Sequence, residues 1–234
     1  MPGFLNHVLV NPHVEVDREV FPFTLPVFHE FQSLEFHPEV TFFVGENGSG
    51  KSTLLEAIAV YFGLSAEGGD RNHNFTTYDS HSELHEKIML GRNEYPGEAM
   101  FLRAESFYNV ASYLANAGGV RYGQLHKRSH GESFLDLIRA LEPPGLYFLD
   151  EPEAALSIQG QLTLLVMLNE LIKEGSQVII ATHSPILLGL GRGWIYEFSE
   201  DGIERKEYRE TKSYLLTLDF LQNRDRYARL MDLK

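Results

Sequence analysis

The stretch that decides the fold is EVTFFVGENGSGKSTLLEAIAVYFG, residues 39–63. Its apolar start, EVTFFVG, predicts a buried strand, and its end, STLLEAIAVYFG, predicts a helix that stops at Gly63. Between them GENGSGKS, residues 45–52, fits the pattern G-x-x-x-x-G-K-S/T. A chance glycine-rich turn would not need this strand and this helix around it, so the stretch predicts a phosphate-binding loop.

The residue types of this loop predict how it would hold a nucleotide. Glycines allow the backbone amides to turn toward phosphates, and the N-terminus of the following helix attracts negative charge. We expect the Lys51 ammonium to pair with the outer phosphates and the Ser52 hydroxyl to ligate Mg²⁺. The predicted nucleotide-binding residues of the loop are Gly45, Glu46, Asn47, Gly48, Ser49, Gly50, Lys51, Ser52 and Thr53.

A second apolar strand ends in two adjacent carboxylates, in LYFLDEPEAALS, residues 146–157. Adjacent carboxylates repel each other unless a cation or a proton is present, and ligands bind at this edge of open α/β sheets. We therefore expect Asp150 to hold Mg²⁺, directly or through water, and Glu151 to polarise the attacking water as general base. Together with the phosphate loop, this pair indicates a nucleotide-hydrolysis site.

His183 follows another apolar strand, in IIATHSPIL, residues 179–187. A single histidine is more often an ordinary surface or capping residue than a catalytic one. Its strand, however, is expected to lie beside the strand that carries Asp150, at the same edge of the sheet. This placement favours a contact with the γ-phosphate, so His183 joins Lys51 and Glu151 as a catalytic candidate.

The segment SHGES, residues 129–133, allows two interpretations. Ser129 beside His130 could be a hydrolase nucleophile with its base, or the segment could be a glycine-centred turn that starts the helix ESFLDLIRAL. Adjacent residues seldom aim their side chains at each other, and no oxyanion loop or third partner is evident, so the turn is favoured. Ser129 would then offer a hydroxyl, and Gly131 a close approach, to a phosphate at a helix N-terminus; the roles of His130 and Glu132 stay open.

Strands and helices alternate along most of the chain, which predicts a mostly parallel sheet with helices on both faces. Residues 4–44 consist of short extended pieces, and residues 64–98 are polar enough to suggest a surface insertion. GWIYEFSEDGIERKEY predicts a hairpin, and YLLTLDFLQNRDRYARLMDL predicts one terminal helix. No linker divides the chain, so we expect a single domain over residues 1–234.

Composition narrows the class of protein. The chain has no cysteine, which excludes disulfides, thiol catalysis and zinc-thiolate sites. No run reaches the roughly 18 apolar residues that cross a bilayer, and no secretory signal is evident, so we expect a cytoplasmic protein without a membrane span. The net charge of −13 disfavours nucleic-acid binding over the whole surface, although a local basic face around Arg121, Lys127 and Arg128, or in residues 201–234, stays open.

His81 and His85 stand four residues apart with Glu83 between them. On a helix they could face one way and ligate a metal ion. Their spacing is not the His-Glu-x-x-His motif, and their surroundings are polar, so a solvated helix face is the favoured interpretation.

GENGSGKS, SHGES, FLDEPEAALS and ATHSP follow the motif order of the ATP-binding cassette (ABC) ATPases. From about Pro22 to the terminal helix the chain resembles their small stand-alone AAA-family members, related to the SMC and DNA-repair branch. The resemblance implies a P-loop NTPase fold, α/β, with a mostly parallel central sheet flanked by helices and an antiparallel N-terminal β portion. It also implies ATP and Mg²⁺ as cofactors and an ATP-dependent homodimer, in which Ser129 and Gly131 of one chain close over the γ-phosphate held by the other.

The chain departs from the family pattern at several positions. The transporter-type signature Leu-Ser-Gly-Gly-Gln is replaced by SHGES, and Ser157 stands where an aspartate is usual. No glutamine ends the middle strand near FLRAESF, where Arg103 or Glu105 could take its place. An aromatic platform for adenine could be Phe23 or Phe28, although both are more readily explained as core residues.

These patterns favour an ATPase that dimerises on ATP and acts as a switch for a protein partner or for nucleic acid, which remains open but unsupported. The alternatives are the nucleotide-binding subunit of a membrane transporter and an ATP-gated binding module with little turnover. A phosphoryl transferase acting on a small molecule is weaker, because SHGES and His183 would then have no role. The client molecule is not specified by the sequence.

Overall fold

The computed structural model of the protein describes residues 2–70, 82–107 and 130–232. The strands are β1 (Leu5–Val10), β2 (Ser33–Glu35), β3 (Val40–Gly45), β4 (Gly69–Asp70), β5 (Ile88–Arg92), β6 (Glu98–Arg103), β7 (Gly145–Asp150), β8 (Gln177–Ala181), β9 (Trp194–Ser199) and β10 (Gly202–Lys206). The α-helices are α1 (Pro26–His29), α2 (Lys51–Tyr61), α3 (Leu84–Lys87), α4 (His130–Arg139), α5 (Ile158–Lys173), α6 (Pro185–Leu188), α7 (Lys212–Gln222) and α8 (Arg224–Leu230). Short 3₁₀ helices span Pro152–Ala155 and Tyr208–Glu210.

Seven strands form the central sheet in the order β10-β9-β3-β8-β7-β6-β4. The five inner strands, from β9 to β6, run parallel, and the edge strands β10 and β4 run antiparallel to their neighbours. A second sheet, β2-β1-β5, is antiparallel. The predicted α/β fold with a mostly parallel sheet and an antiparallel N-terminal portion is confirmed.

Successive side chains of the inner strands point to opposite faces of the sheet, so a hydrophobic core forms on each face. On β3, Phe43 packs with the α2 side chains and the small sheet, whereas Phe42 and Val44 pack on the opposite face with α4 and α5. All six residues of β7 and all five of β8 are buried. Parallel strands covered on both faces carry such continuous apolar runs, which is why EVTFFVG and GLYFLD could be recognised from the sequence.

Residues 64–98 take a larger part in the fold than a polar surface insertion would. In the described portions of this stretch, β5 pairs antiparallel with β1, and Leu64, Leu84 and Ile88 are buried. The few apolar residues of this stretch are separated by long polar runs, so the sequence pattern did not predict that they are buried. Strand β1 already pairs with β2 on one side, and β5 covers its other edge, which would otherwise expose unpaired backbone groups.

The C-terminal segment forms two helices where the sequence predicted one. Asn223 interrupts it with φ −123° and ψ 31°, and its side-chain amide donates to Asp219 Oδ1 at 2.7 Å. The predicted β9–β10 hairpin is present, with Gly202 opposite Ser199. Among the described residues, no helix is long and apolar enough to cross a membrane.

Candidate nucleotide-binding site

The loop between β3 and α2 has a backbone that requires glycine. Gly45, Gly48 and Gly50 have φ values of +147°, +77° and +94°, which side chains rarely tolerate. A Cβ on Gly45 would lie 2.3 Å from the Phe198 carbonyl oxygen. Within the described part of the chain, the buried Ser49 hydroxyl has no hydrogen-bond partner. A glycine cradle and a spare hydroxyl fit a phosphate chain.

Lys51 begins α2, and its side chain folds back over this loop. The Nζ atom donates to the Gly45 and Glu46 carbonyl oxygens at 3.0 and 2.9 Å, and the residue is only 3% exposed. Burial lowers the pKa of the Lys51 ammonium, and the charges of Glu151 and Asp150 oppose that shift. The loop therefore holds a buried cation where a phosphate would lie.

Asp150 ends β7 and accepts a hydrogen bond from the Ser52 hydroxyl at 2.8 Å. Burial raises the pKa of the Asp150 carboxyl to about 6, although the positive charge of Arg103 and the Ser52 hydrogen bond both act to lower it. A hydroxyl and a carboxylate are hard oxygen ligands of the kind Mg²⁺ prefers. Both residues therefore fit a magnesium ion that also binds nucleotide phosphates.

Arg103 ends β6 and lies opposite Asp150 in the β6–β7 register. Its Nε atom is 3.3 Å from Asp150 Oδ2, and one terminal nitrogen donates to Glu56 Oε2 at 2.5 Å. Of the two candidates named for this position, Arg103 is the one at the strand end. The site thus contains a cation of its own beside the carboxylate expected to hold the metal.

Glu151 and His183 meet at the same edge of the sheet, because β7 and β8 are parallel neighbours. His183 Nε2 lies 3.0 Å from Glu151 Oε1, and both side chains are about one-third exposed, at 32% and 34%. Glu151 has φ 48° and ψ 48°, a left-handed conformation that costs energy for a residue with a side chain. The carboxylate is therefore fixed by its surroundings yet open to water.

Glu153 is a residue of the site that the sequence reasoning missed. Its Oε1 atom accepts from the Thr182 hydroxyl at 2.7 Å and from the backbone amides of His183 and Ser184. One carboxylate oxygen therefore fixes the loop that carries His183. The sequence signal was a second glutamate in DEPE, and a glutamate at such a position is more often an ordinary surface residue.

We expect Glu153→Ala to lower the free energy of unfolding by about 2 kcal/mol, because it removes the acceptor of two backbone amides and a buried hydroxyl. Glu153→Gln is the matched control, since its amide oxygen can accept the same three hydrogen bonds. Denaturant unfolding measures both variants. An alanine variant as stable as the wild type would contradict the positioning role.

Of the two residues expected from SHGES to contact a phosphate, Gly131 is the one that the structure describes. Ser129 is outside the described residues, as are Arg121, Lys127 and Arg128. Gly131 lies in the first turn of α4, where a Cβ would be 3.0 Å from the Ala155 carbonyl oxygen.

Three of the remaining candidates, Ser157, Phe23 and Phe28, have structural roles. The Ser157 hydroxyl caps α5 by accepting from the Gly160 amide at 3.1 Å. Phe23 and Phe28 are 5% and 1% exposed, as the core interpretation expected. His81 lies outside the described residues, and His85 Nδ1 is 3.2 Å from the Ser82 carbonyl oxygen. In the described ranges, no group of three or more His, Asp or Glu side chains is placed to hold a metal ion.

A cavity of about 1000 Å³ opens beside the phosphate loop. One wall consists of residues 45–49 and His183. The others come from the start of α1, from the turn between β9 and β10, and from α7 and α8. The phosphate loop and the two C-terminal helices therefore share one cavity.

Two family models, both described as AAA domains, match residues 25–110 and 134–189; the second also names an AbiEii toxin of a type IV TA system. The cytochrome c biogenesis ATP-binding export protein CcmA of Xanthomonas axonopodis pv. citri is 30% identical over 65% of this chain and 79% of its own length. The manganese transport system ATP-binding protein MntA of Synechocystis is 27% identical over 62% of this chain, and the match spans 64% of MntA.

Among solved structures, an inward-facing metal-chelate type ABC transporter aligns over 80% of this chain and 81% of that one. The TM-score is 0.50 at 18% identity, a likeness that concerns the fold alone. The sequence match to CcmA, at 30% identity, extends over 79% of that protein. The chain therefore belongs to the ABC-type ATPases.

Proposed function

We propose that this protein binds Mg-ATP and hydrolyses it to ADP and phosphate, with Glu151 as general base. One observation carries the proposal: two contacts, Ser52 with Asp150 at 2.8 Å and His183 with Glu151 at 3.0 Å, meet beside the loop that holds Lys51. These are the side chains that metal binding, water activation and phosphate neutralisation require. Each comes from the carboxyl end of a parallel strand, or from the loop or the first turn of the helix that follows it.

The chain's own residues divide the chemistry among them. The glycine loop and Lys51 would hold the phosphates, and Ser52 and Asp150 would ligate the metal. When bound, Mg²⁺ would neutralise charge on the phosphate oxygens. The partly exposed Glu151 would take the proton of the attacking water, and His183 would contact the γ-phosphate while holding the Glu151 side chain in place.

The proposal includes an ATP-dependent homodimer. Gly131 is not among the residues that line the cavity beside the phosphate loop. If it acts on a nucleotide together with Ser129, that nucleotide is then most simply the one held by a second chain. The dimer would work as a switch for a partner, either a protein or a nucleic acid.

We expect the rate of hydrolysis per chain to rise with protein concentration, because each complete site would need two chains. Phosphate release is measured over a dilution series that crosses from dimer to monomer, with the oligomeric state followed by light scattering. Lys51→Ala is the control for contaminating activity, since it removes the buried cation of the loop. A rate per chain that stays constant through a demonstrated monomer range would contradict the shared site.

A transporter nucleotide-binding subunit is the second candidate, because relatives such as MntA are named as transport ATP-binding proteins. Copurification of a membrane subunit with the intact chain would favour it. An ATP-gated binding module is the third, and it predicts ATP binding with negligible phosphate release. The pairing of His183 with Glu151 supports turnover instead.

A further inference from the structure

We infer that Arg103 is a built-in counter-ion of the carboxylate expected to hold the metal, and that it makes nucleotide binding less dependent on Mg²⁺. This inference rests on the proposed ATP binding. Asp150 accepts a hydrogen bond from the Ser52 hydroxyl through Oδ1, and the Arg103 Nε atom lies 3.3 Å from its other oxygen, Oδ2. The protein thus places a positive charge of its own against the carboxylate that a metal ion would use.

Arg103 is held in this position by two further contacts. Its Nη1 atom donates to Glu56 Oε2 at 2.5 Å and to the Ala66 carbonyl oxygen at 3.1 Å. The side chains of Arg103, Glu56 and Asp150 are 21%, 15% and 6% exposed, so solvent and salt screen their charges less than on the surface. Because a guanidinium stays protonated, Arg103 is a permanent and fixed cation at this place.

These contacts close a ring of four side chains between one helix and two strands. Ser52 and Glu56 are four residues apart on α2 and project from the same face of the helix. Ser52 contacts Asp150 of β7, and Glu56 contacts Arg103 of the neighbouring parallel strand β6. With both carboxylates ionised the ring carries a net charge of −1, which would be −2 without Arg103.

The charge of Arg103 would act on the metal and on the nucleotide in opposite ways. It would repel a cation held by Ser52 and Asp150, and it would attract nucleotide phosphates together with the buried Lys51. Both effects reduce the factor by which Mg²⁺ tightens nucleotide binding. An ion pair with a structural role alone would change binding equally with and without the metal, so the two roles can be separated.

Calorimetry on the full chain measures this factor as a ratio of two dissociation constants for the non-hydrolysable ATP analogue AMP-PNP, the first in EDTA and the second in excess Mg²⁺. We expect Arg103→Gln to raise the ratio about 10-fold, because Asp150 would attract Mg²⁺ without a competing fixed cation. Arg103→Lys should keep the ratio within about 3-fold of the wild type, because lysine keeps the charge although not the forked geometry.

Glu56→Gln tests the inference in the opposite direction. It removes the negative charge that partly balances Arg103, so the ratio should fall about 3-fold. Arg103 stays paired with Asp150 in this variant, which leaves no buried carboxylate without a partner. The variant therefore provides a measurement even where Arg103→Gln is too unstable to fold.

Arg192→Gln is the matched control. Arg192 also pairs with a glutamate, Glu39, at 2.7 Å, but at the amino end of β3, whereas the site lies at the carboxyl end of that strand. Its ratio should equal that of the wild type.

A folded Arg103→Gln whose ratio is unchanged or lower, or which binds AMP-PNP under neither condition, would overturn the inference. Where that variant does not fold, an unchanged or higher ratio in Glu56→Gln would do so. Loss of all wild-type binding in EDTA would also contradict it, because Arg103 would then replace none of the metal's charge. If the wild type binds AMP-PNP under neither condition, the proposed function itself fails; if it binds and the variants have its ratio, only the role of Arg103 fails.

Discussion

Glu151→Gln is expected to lower the rate constant of ATP hydrolysis by about 10²- to 10⁴-fold, the usual contribution of a general base. The amide has the shape of the carboxylate but cannot accept the proton of the attacking water. It can still form a hydrogen bond with His183 Nε2, which lies 3.0 Å from the carboxylate in the wild type. The local geometry should therefore survive, so that the loss reports the missing base.

ATP affinity of this variant should stay within about 3-fold of the wild type, because the phosphate loop and Lys51 are unchanged. An ATP-bound dimer should accumulate and be visible by light scattering. Glu174→Gln is the control, an exposed glutamate just beyond the C-terminus of α5, at the opposite edge of the sheet. Hydrolysis by Glu151→Gln at the wild-type rate would remove Glu151 from its role.

The elements of the central sheet were predictable because burial on both faces leaves continuous apolar runs. GLYFLD and QVIIA are apolar runs between polar segments. The phosphate-loop motif also predicts a strand before it and a helix after it. The small sheet was less visible, because β5 contributes few buried residues and its partner β1 lies about 80 residues away. Long-range pairing of short strands leaves no local signature.

Some residues of the candidate site could likewise be predicted from the sequence, and others could not. Residues that belong to a motif, such as Lys51, Asp150 and His183, could be proposed from the motif and from the strand that precedes each of them. Glu153 could not, because its role depends on the path of the loop after β8, which only the folded chain reveals. Arg103 was one of two candidates for the glutamine's place at the end of the middle strand, and its ion pairs with Glu56 and Asp150 could not be predicted from that motif.

Asp150→Asn is expected to lower the rate of ATP hydrolysis strongly and yet stabilise the nucleotide-free protein. The folded protein raises the pKa of this carboxyl to about 6 from its usual 3.8, mainly through burial. A raised pKa means that ionisation opposes folding, so the stability contributed by the protonated form is lost as pH rises from about 4 to about 6. A shift of about two units corresponds to at most ~3 kcal/mol at neutral pH.

Asparagine removes this cost because it stays neutral. Its amide oxygen can accept from Arg103 while its amide nitrogen donates to the Ser52 hydroxyl oxygen, in place of the two contacts that Asp150 makes through separate oxygens. Arg103 keeps its ion pair with Glu56, so no cation is left unpaired. We expect a melting temperature about 2–8 °C above the wild type at pH 7.5, a difference that shrinks toward pH 5. Hydrolysis should fall at least about 100-fold, because a neutral amide is a weaker Mg²⁺ ligand than a carboxylate.

Asp225→Asn separates this effect from a general gain on removing negative charge from a protein of net charge −13. Asp225 is 89% exposed, so its replacement should shift stability by less than about 0.5 kcal/mol at either pH. Thermal unfolding of the wild type, Asp150→Asn and Asp225→Asn at pH 5 and pH 7.5 measures stability. Mg-ATP turnover of the same three proteins measures activity. A destabilised Asp150→Asn, or one as active as the wild type, would contradict the argument. In the nucleotide-free chain the buried carboxylate would then destabilise the folded state despite the nearby Arg103. Its use would lie in metal binding, because a bound cation would add to the positive charge of Arg103 in offsetting the burial.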